Sequence, residues 1–228
     1  MVISIDEAGQ TAASTITMTN ISSMPLTVDG CVQKWEDYWA NDGMLWDQGA
    51  PCLALRELLE EHGWLIPKGR CLVAGCGRGH DVLYMAGRGI ECTGVDICQG
   101  AIAAARKQLA ANETKLKAKA SFITEDFLNY TTTLRFTIAF EYGLFSAIHP
   151  SQRQKWAEAY ARLVSPQGML IVLLAPLIQR GSPPPYVVTM AECERYLKKY
   201  FMLVRVDPNC KCLDGHEGNE LICIWKRL

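Results

Sequence analysis

Apolar and polar positions follow two alternating patterns along most of the chain. Segments with apolar residues three and four positions apart are typical of amphipathic helices, and short continuous apolar runs are typical of buried strands. The helical pattern covers residues 32–41, 50–64, 101–111, 151–163 and 190–200, with a further helix that starts near His80 or Asp81. The strand pattern covers residues 70–74, 91–95, 120–124, 136–140, 169–174, 202–206 and 220–225.

This order of elements predicts the fold class. Strands that alternate with helices predict an α/β protein with a doubly wound, mostly parallel sheet, because each helix then crosses over one face of the sheet. The last two strands are joined by a polar, glycine-containing loop, residues 207–219, with no helix. A connection of that kind predicts an antiparallel hairpin at one edge of the sheet.

The N-terminal segment differs from the rest of the chain. Residues 1–33 contain no Lys or Arg, so they lack the basic region of a signal peptide and the Arg-rich face of a transit peptide. Hydrophobic periodicity is also missing before Val32. We therefore expect a flexible tail over residues 1–30 and one folded domain over residues 31–228, since a chain of 228 residues suits a single core.

Composition restricts the class of partner. A net charge of −1 gives no reason to expect nucleic acid or an anionic membrane surface. No apolar run approaches the ~18 residues that a membrane span needs. We therefore expect a soluble, cytoplasmic monomer whose substrate is a small molecule or an inorganic anion.

Ten cysteines are many for this length, but no two of them have CxxC spacing. Most lie in apolar runs, where a reduced cysteine packs as a small hydrophobic residue. Cys210 and Cys212, with His216 nearby, leave a metal site or a disulfide open, although an ordinary loop is favoured. We predict no bound metal.

Three glycines mark a candidate ligand site directly after the first strand. Gly75, Gly77 and Gly79 allow a tight turn and let a ligand lie against the backbone at the carboxyl end of a parallel strand. A nicotinamide dinucleotide fingerprint would need glycine at position 80, where this chain has His80, which disfavours that ligand. A purely structural turn is the alternative.

Acidic residues follow the next two strands. Asp96 ends the second strand, 21 residues after Gly75, where a carboxylate accepts hydrogen bonds from ribose hydroxyls. Its alternative role is that of a helix N-cap. After the third strand, Asp126 can accept from an adenine amino group while Phe127 covers the ring, and the alternative is a solvated turn.

The order of these motifs resembles the class I S-adenosylmethionine-dependent methyltransferases, and in finer detail the halide/thiol branch of the thiopurine methyltransferase family. The resemblance extends from about Trp35 to Trp225. It rests on residues 35–39, 46–49, 73–81, 94–97, 140–142 and 147–150, together with Arg153 and Trp156.

The resemblance implies a seven-stranded Rossmann-like sheet and S-adenosylmethionine as cofactor. It implies that Trp35, Trp39 and Trp46 enclose the cofactor, with Gly75 in the glycine loop, Asp96 at the ribose, and Asp126 and Phe127 at the adenine. Indole faces attract cations such as a sulfonium, although ordinary packing is an alternative role for the tryptophans. Loop amides at Gly75 and Gly77 would meet the methionine carboxylate, and Asp81 would meet its ammonium group.

Tyr142 is the predicted catalytic residue. In the thiopurine branch an arginine typically follows the acidic residue, whereas here Tyr142 follows Glu141, as in the halide/thiol branch. Its hydroxyl can donate to an anion, and the alternative is a half-buried tyrosine that closes the site. His80 and His149 are candidate bases, with structural roles favoured for both.

The predicted reaction is in-line displacement of the sulfonium methyl by a halide ion, bisulfide or a thiol. Such nucleophiles are anionic or nearly so near neutral pH, so we expect catalysis by positioning and removal of water, without a general base. Two alternatives stay open. One is a thiopurine, phenol or metalloid methyltransferase, and the other is a nucleoside-binding protein without turnover.

Overall fold

The computed structural model describes residues 28–41, 46–112, 114–117, 119–178, 181 and 183–228. Within these residues the backbone forms one seven-stranded sheet with helices packed against it. The strands are β1 (Arg70–Ala74), β2 (Glu91–Asp96), β3 (Ala120–Thr124), β4 (Phe136–Tyr142), β5 (Val164–Leu174), β6 (Phe201–Asp207) and β7 (Leu221–Arg227).

The helices follow the predicted alternation. They are α1 (Val28–Ala40), α2 (Leu53–Glu61), α3 (His80–Gly87), α4 (Gln99–Ala110), α5 (Thr114–Lys117), α6 (Leu144–Ala147), α7 (Arg153–Leu163) and α8 (Met190–Leu197). Short 3-10 turns lie at Gly63–Leu65 and Pro150–Gln152.

The strand order is β3-β2-β1-β4-β5-β7-β6. Strands β1 to β5 pair in parallel, and β7 is antiparallel to both β5 and β6. The predicted fold class and edge hairpin are therefore confirmed. Because the chain moves outward from β1 to β3 and then returns to place β4 on the other side of β1, the sheet has a switch point there. The carboxyl ends of β1, β2 and β4 meet at this point, where open α/β sheets bind ligands.

Most predicted strands coincide with the observed ones, but β5 differs. It starts at Val164, five positions before the predicted start at residue 169. The register against β4 shifts between Phe136, which pairs with Val164, and Ile138, which pairs with Met169. The polar residues of this irregular stretch, including Gln167 with a φ of +66°, interrupt the apolar run, so the pattern alone missed the first part of the strand.

A few helices also begin or end at positions that differ from the predicted ones. The helix predicted over residues 50–64 begins only at Leu53, since Pro51 disfavours a helical conformation at the preceding Ala50, and it ends at Glu61 before the 3-10 turn. Helix α8 ends at Leu197 rather than at residue 200.

Apolar side chains cover both faces of the sheet. One face packs Leu72, Trp156 and Trp225 among its buried residues, and the other packs Leu55, Met85 and Ile102. Several cysteines belong to these cores as free thiols, as their apolar neighbours predicted: Cys71, Cys92, Cys193 and Cys223.

The predicted tail lies mostly outside the described residues, which begin at Val28. Helix α1 already starts at that residue, three positions before the predicted domain boundary. No helix in the described ranges is both long and apolar enough to cross a membrane.

Candidate active site

A cavity of about 790 Å³ opens at the carboxyl ends of the strands, around the switch point. Helix α1, the segment before α2, the β1–α3 loop, the ends of β2 and β4, and the loop between β6 and β7 all contribute to its wall. Every site residue predicted from the sequence lines it: Trp35, Trp39, Trp46, Gly75, Gly77, Asp81, Asp96, Asp126, Phe127 and Tyr142.

The glycine loop turns the chain from β1 into α3. Gly75, Gly77 and Gly79 have φ values of +63°, +51° and +76°, in the left-handed region that favours glycine. At Gly79 a Cβ atom would also approach the Phe122 ring to 2.5 Å, so a larger residue cannot fit without a shift. The loop therefore needs these glycines for its tight turn, which both the ligand-site interpretation and the structural alternative expect.

Asp96 connects the glycine loop to the end of β2. One carboxylate oxygen accepts from the Gly77 amide at 2.9 Å and the other accepts from the Cys98 amide at 3.0 Å. Burial raises the pKa of Asp96, because it disfavours the charged form. The carboxylate is thus fixed at the cavity wall by two amides, and its remaining lone pairs can accept from ribose hydroxyls.

The N-cap interpretation of Asp96 is wrong, because another residue caps α4. The Glu36 carboxylate on α1 accepts from the amides of Gln99 at 2.5 Å and Gly100 at 3.2 Å. These are the first two residues of α4, whose amides have no partner within the helix. Sequence reasoning included Glu36 in a motif but gave it no role.

An aromatic wall closes the side of the cavity formed by α1. The Trp46 ring meets Trp35 edge-on at a centroid distance of 5.3 Å, and it meets Tyr38 in the same way at 5.3 Å. Tyr38, which the sequence interpretation did not select, thus completes a three-ring cluster. Trp39 lies beside the glycine loop, with the Arg78 guanidinium 5.3 Å from the centre of its ring.

Asp47 contacts Arg78 within the glycine loop and His80 at the start of α3. Its carboxylate forms an ion pair with Arg78 and lies 3.2 Å from His80 Nε2. Burial alone would raise the pKa of Asp47, but the Gly49 amide, Arg78 and His80 together hold it below its usual range. His80 thus shares the Asp47 carboxylate with Arg78, in agreement with its favoured structural role.

Asp81 lies in the first turn of α3. One of its oxygens accepts from the Cys52 amide at 2.8 Å, and burial raises the pKa of this carboxyl to about 6. A cationic group placed beside it would reverse that shift. Asp81 therefore suits the ammonium group of an amino acid moiety.

Asp126 and Phe127 lie after β3. The two oxygens of Asp126 accept from the Leu128 amide at 3.0 Å and from Asn129 Nδ2 at 2.6 Å, which stabilises the turn. Phe127 is 4% exposed, and its ring packs against Tyr160 at 4.6 Å between centroids. Both residues reach the cavity wall while performing these structural roles.

Tyr142 ends β4 at the centre of the cavity. Burial raises the pKa of its hydroxyl, and the nearby carboxylates of Glu220 and Asp81 add to that effect. The hydroxyl therefore stays protonated at neutral pH and can donate a hydrogen bond.

A buried polar network supports the turn after Tyr142. Glu141 is fully buried, accepts from the Phe145 amide at 2.7 Å, and has its pKa raised to about 8 by burial. The neighbouring Arg153 donates to the Phe145 carbonyl at 3.2 Å and forms a 2.6 Å ion pair with Glu192. These contacts fix residues 143–148, several of which line the cavity.

The loop between β6 and β7 covers the cavity beside Tyr142. Its lining residues include Lys211, Cys212, His216 and Glu220, and His216 Nδ1 lies 2.7 Å from a Glu220 carboxylate oxygen. Sequence reasoning weighed His216 only as a metal ligand and did not select Glu220. No group of three or more metal-ligating side chains occurs in the described part of the chain.

His149 is not among the residues that line the cavity. It is exposed, its Nδ1 accepts from the Ser151 amide at 3.3 Å, and it caps the 3-10 turn that starts at Pro150. The structural role favoured for His149 therefore agrees with its contacts.

Comparison with known proteins gives consistent matches. The sequence model of the thiopurine S-methyltransferase (TPMT) family matches residues 31–219. A probable thiol methyltransferase 2 from Arabidopsis thaliana is 33% identical over 195 residues, and a thiocyanate methyltransferase 1 from the same plant is 34% identical over 196 residues. Each alignment covers 85% of this chain and 84% of the relative.

Among solved structures, a glycopeptide N-methyltransferase in complex with S-adenosylmethionine shares the fold. Its TM-score is 0.66 at 15% identity, over 80% of this chain and 96% of that one.

The residues of the cavity fit S-adenosylmethionine. Asp96 would hold the ribose, Asp81 the ammonium group, and the indoles of Trp35 and Trp39 the sulfonium. When bound, the cofactor supplies an electrophilic methyl group on a sulfonium sulfur. With a family match over residues 31–219 and relatives at one-third identity over most of their length, the chain belongs to the thiopurine S-methyltransferase family and is an S-adenosylmethionine-dependent methyltransferase.

Proposed function

We propose that the chain methylates small, soft nucleophiles, namely thiols, bisulfide or halide ions, by direct in-line displacement. The names of the two plant relatives, a probable thiol methyltransferase and a thiocyanate methyltransferase, support this class of acceptor.

The observation that carries the proposal is the charge of the cavity wall around Tyr142. Among the described lining residues, the Arg and Lys side chains are Arg78 and Lys211. Arg78 is paired with Asp47, and Lys211 is held by Glu57 and Glu61 at 3.6 and 3.4 Å. The described part of the wall thus offers carboxylates and hydroxyl and amide dipoles, and both of its Arg and Lys side chains are already paired, which disfavours a substrate with a permanent anionic group.

A small nucleophile needs no such cation. Its charge and that of the sulfonium disappear together as the methyl group moves, so a site of low polarity favours the transition state over the separated charges. The residues of the chain then act by holding the two reactants in line and by excluding water. Tyr142 would orient the acceptor through its protonated hydroxyl.

A thiopurine is the second candidate acceptor. A cavity of about 790 Å³ lies in the size range of sites for drug-sized ligands, so an aromatic thiol has room beside Pro184 and Pro185. Aromatic thiols also share the sulfur chemistry of the first class.

A competition panel tests the proposal. Purified protein with S-adenosylmethionine would receive iodide, bisulfide, 2-mercaptoethanol, 6-mercaptopurine, phenol and arsenite in turn, with methyl iodide and methanethiol measured in the headspace. We expect kcat/KM for the small thiols or iodide to exceed that for 6-mercaptopurine at least tenfold. A preference for 6-mercaptopurine, phenol or arsenite would contradict the proposal, and cofactor binding without turnover of any acceptor would indicate a binding protein.

A further inference from the structure

A histidine–carboxylate pair lines the cavity near Tyr142. Glu220 immediately precedes β7, the strand held between β5 and β6, and it is 7% exposed. His216 Nδ1 contacts its carboxylate at 2.7 Å, and the side chain of His216 is 36% exposed. Both residues line the same cavity as Tyr142.

The backbone fixes the position of the pair. The His216 amide donates to the Leu213 carbonyl at 2.9 Å, and the Asn219 amide donates to the His216 carbonyl at 2.9 Å. Asn219 in turn accepts from the amides of Leu177 and Ile178 at 3.0 and 2.8 Å. The loop is thus anchored to the segment after β5, and the imidazole is held over the cavity.

The contact with Glu220 determines which ring nitrogen can accept a proton. A carboxylate accepts the Nδ1 hydrogen, so the neutral ring carries its proton on Nδ1 and leaves the Nε2 lone pair available. A carboxylate in this position also stabilises the imidazolium that forms when Nε2 takes up a proton.

We propose that His216, oriented by Glu220, accepts the proton of a neutral thiol acceptor during methyl transfer. This inference rests on the proposed function, because it concerns only acceptors that carry a removable proton. Halide ions have none, so the base-free reaction expected from the sequence applies to them.

The charges around the site explain why a neutral thiol would enter. The Glu220 carboxylate, which acts on Tyr142, disfavours the entry of any anion, and an acceptor with a removable proton avoids this cost by entering as the neutral thiol, which iodide cannot do. Further titratable groups that interact with Glu220 come from the segment before α2, from β4, and from the loop itself: Cys52, Tyr142, Cys210 and Cys212. The thiol and the imidazole of His216 are then both neutral on entry, and the thiolate forms inside the cavity only as its proton moves to His216.

The bonds, electron pairs and proton of the proposed methyl transfer can all be accounted for. The S–H bond of the acceptor breaks and its proton passes to His216 Nε2, while the sulfur electron pair forms the new bond to the methyl carbon. The bond between that carbon and the sulfonium breaks, and its electron pair stays on the departing neutral thioether. Because the imidazole is partly exposed, the proton can then leave to water.

Kinetics with two acceptors test the role of His216. The thiol is 2-mercaptoethanol and the acceptor without a proton is iodide, each assayed from pH 6 to 9.5 with the wild type, His216→Gln, Glu220→Gln and the control His149→Gln. We expect His216→Gln to lower kcat/KM for the thiol by about 100-fold near pH 7, the scale of general base catalysis, and to leave iodide within about twofold. The loss should shrink as the pH rises towards the pKa of the thiol, because the fraction of thiolate in solution then grows. Glu220→Gln should cause a smaller loss with the same dependence on pH, and His149→Gln none.

A second measurement does not depend on turnover. The chain has 4 histidines, so comparison with His216→Gln assigns the ring nitrogens of His216 in a nitrogen-15 NMR spectrum. We expect the neutral ring of His216 to be protonated on Nδ1. Protonation on Nε2 would overturn the proposal, because that nitrogen would then have no lone pair for the thiol proton.

The outcomes distinguish a failure of the proposed acceptor class from a failure of the role of His216. If the wild type methylates neither iodide nor the thiol, the proposed acceptor class fails, and the role of His216 fails with it; if it methylates iodide alone, only the role of His216 in thiol methylation fails. If the wild type methylates the thiol and His216→Gln does so equally well, or loses the same factor at every pH, only the proton-acceptor role is overturned.

Discussion

Glu36 and Gly100 join the aromatic wall of the cavity to the helix that follows Asp96. The carboxylate of Glu36 accepts from the Gly100 amide at 3.2 Å, and the absence of a side chain at Gly100 lets α1 lie directly on α4. A carboxylate at a helix N-terminus is favoured by the unpaired amides and by the helix dipole. The position of Trp35 and Trp39 thus depends on the cap that Glu36, on the same helix, supplies to α4.

The first prediction concerns Gly100→Ala. A Cβ atom there would approach the Trp39 Cβ to 2.9 Å and a Glu36 oxygen to 3.2 Å, so α1 must shift. We expect the Kd for S-adenosylmethionine to rise at least tenfold in calorimetric titration. Gly87→Ala is the matched control, since a Cβ atom in that helix meets only Leu116 at 3.9 Å. Equal affinities for the two variants would show that the α1–α4 contact does not position the cofactor site.

The second prediction concerns Asp96→Asn. An amide keeps one oxygen for the backbone contacts but loses the charge, and charge-assisted hydrogen bonds contribute about 1.5–3 kcal/mol each. We expect the affinity for S-adenosylmethionine to fall at least tenfold, measured by calorimetry. A thermal melt of the same variant controls for folding, because Asp96 also holds the amides of Gly77 and Cys98. Unchanged affinity in a folded variant would refute the ribose role.

The third prediction uses the raised pKa of Asp81. Its carboxyl is protonated below a pKa of about 6, and binding of an ammonium group requires the charged form. The affinity for S-adenosylmethionine should therefore rise about tenfold per pH unit up to about pH 6 and level off above it. Asp81→Asn should bind more weakly and remove this dependence. Titrations at pH 5, 6, 7 and 8 check both, and an identical pH dependence in the two proteins would exclude Asp81 as the ammonium partner.

The sequence predicted the parts of the site that depend on local pattern. The strand β1, the glycine loop and Asp96 follow from an apolar run, three glycines and an acidic residue at the end of the next strand. The topology of a parallel sheet then brings those strand ends together. The bounds predicted for β1 and β3 agree with the structure for the same reason.

Contacts between distant segments were not predictable in this way. Glu36 meets Gln99 across 63 positions of the sequence, and no periodicity in either helix signals that pairing. His216 and Glu220 reach the cavity only because β7 inserts between β5 and β6, which places its preceding loop over Tyr142. A polar loop sequence carries no information about which cavity it covers.

The last prediction concerns the buried Glu141. Burial raises the pKa of this carboxyl to about 8 in the folded protein, above the value of about 4.3 expected in the unfolded chain. Its protonated form therefore stabilises the fold fully below about pH 4, and this contribution is lost as the pH rises through about 8. Over this interval the free energy of unfolding should fall by up to about 1.4 kcal/mol per pH unit.

Glu141→Gln keeps the shape and cannot ionise, so it should lack this decline. Asp81 titrates in the lower part of the same interval, and so the comparison belongs between pH 6.5 and 8. There the wild type should lose about 2 kcal/mol relative to the variant, equivalent to a fall in Tm of about 4–8 °C for a chain of this size. Parallel melting curves of the two proteins over this range would show instead that Arg153, which lies close enough to lower the pKa of Glu141, keeps the carboxyl charged throughout.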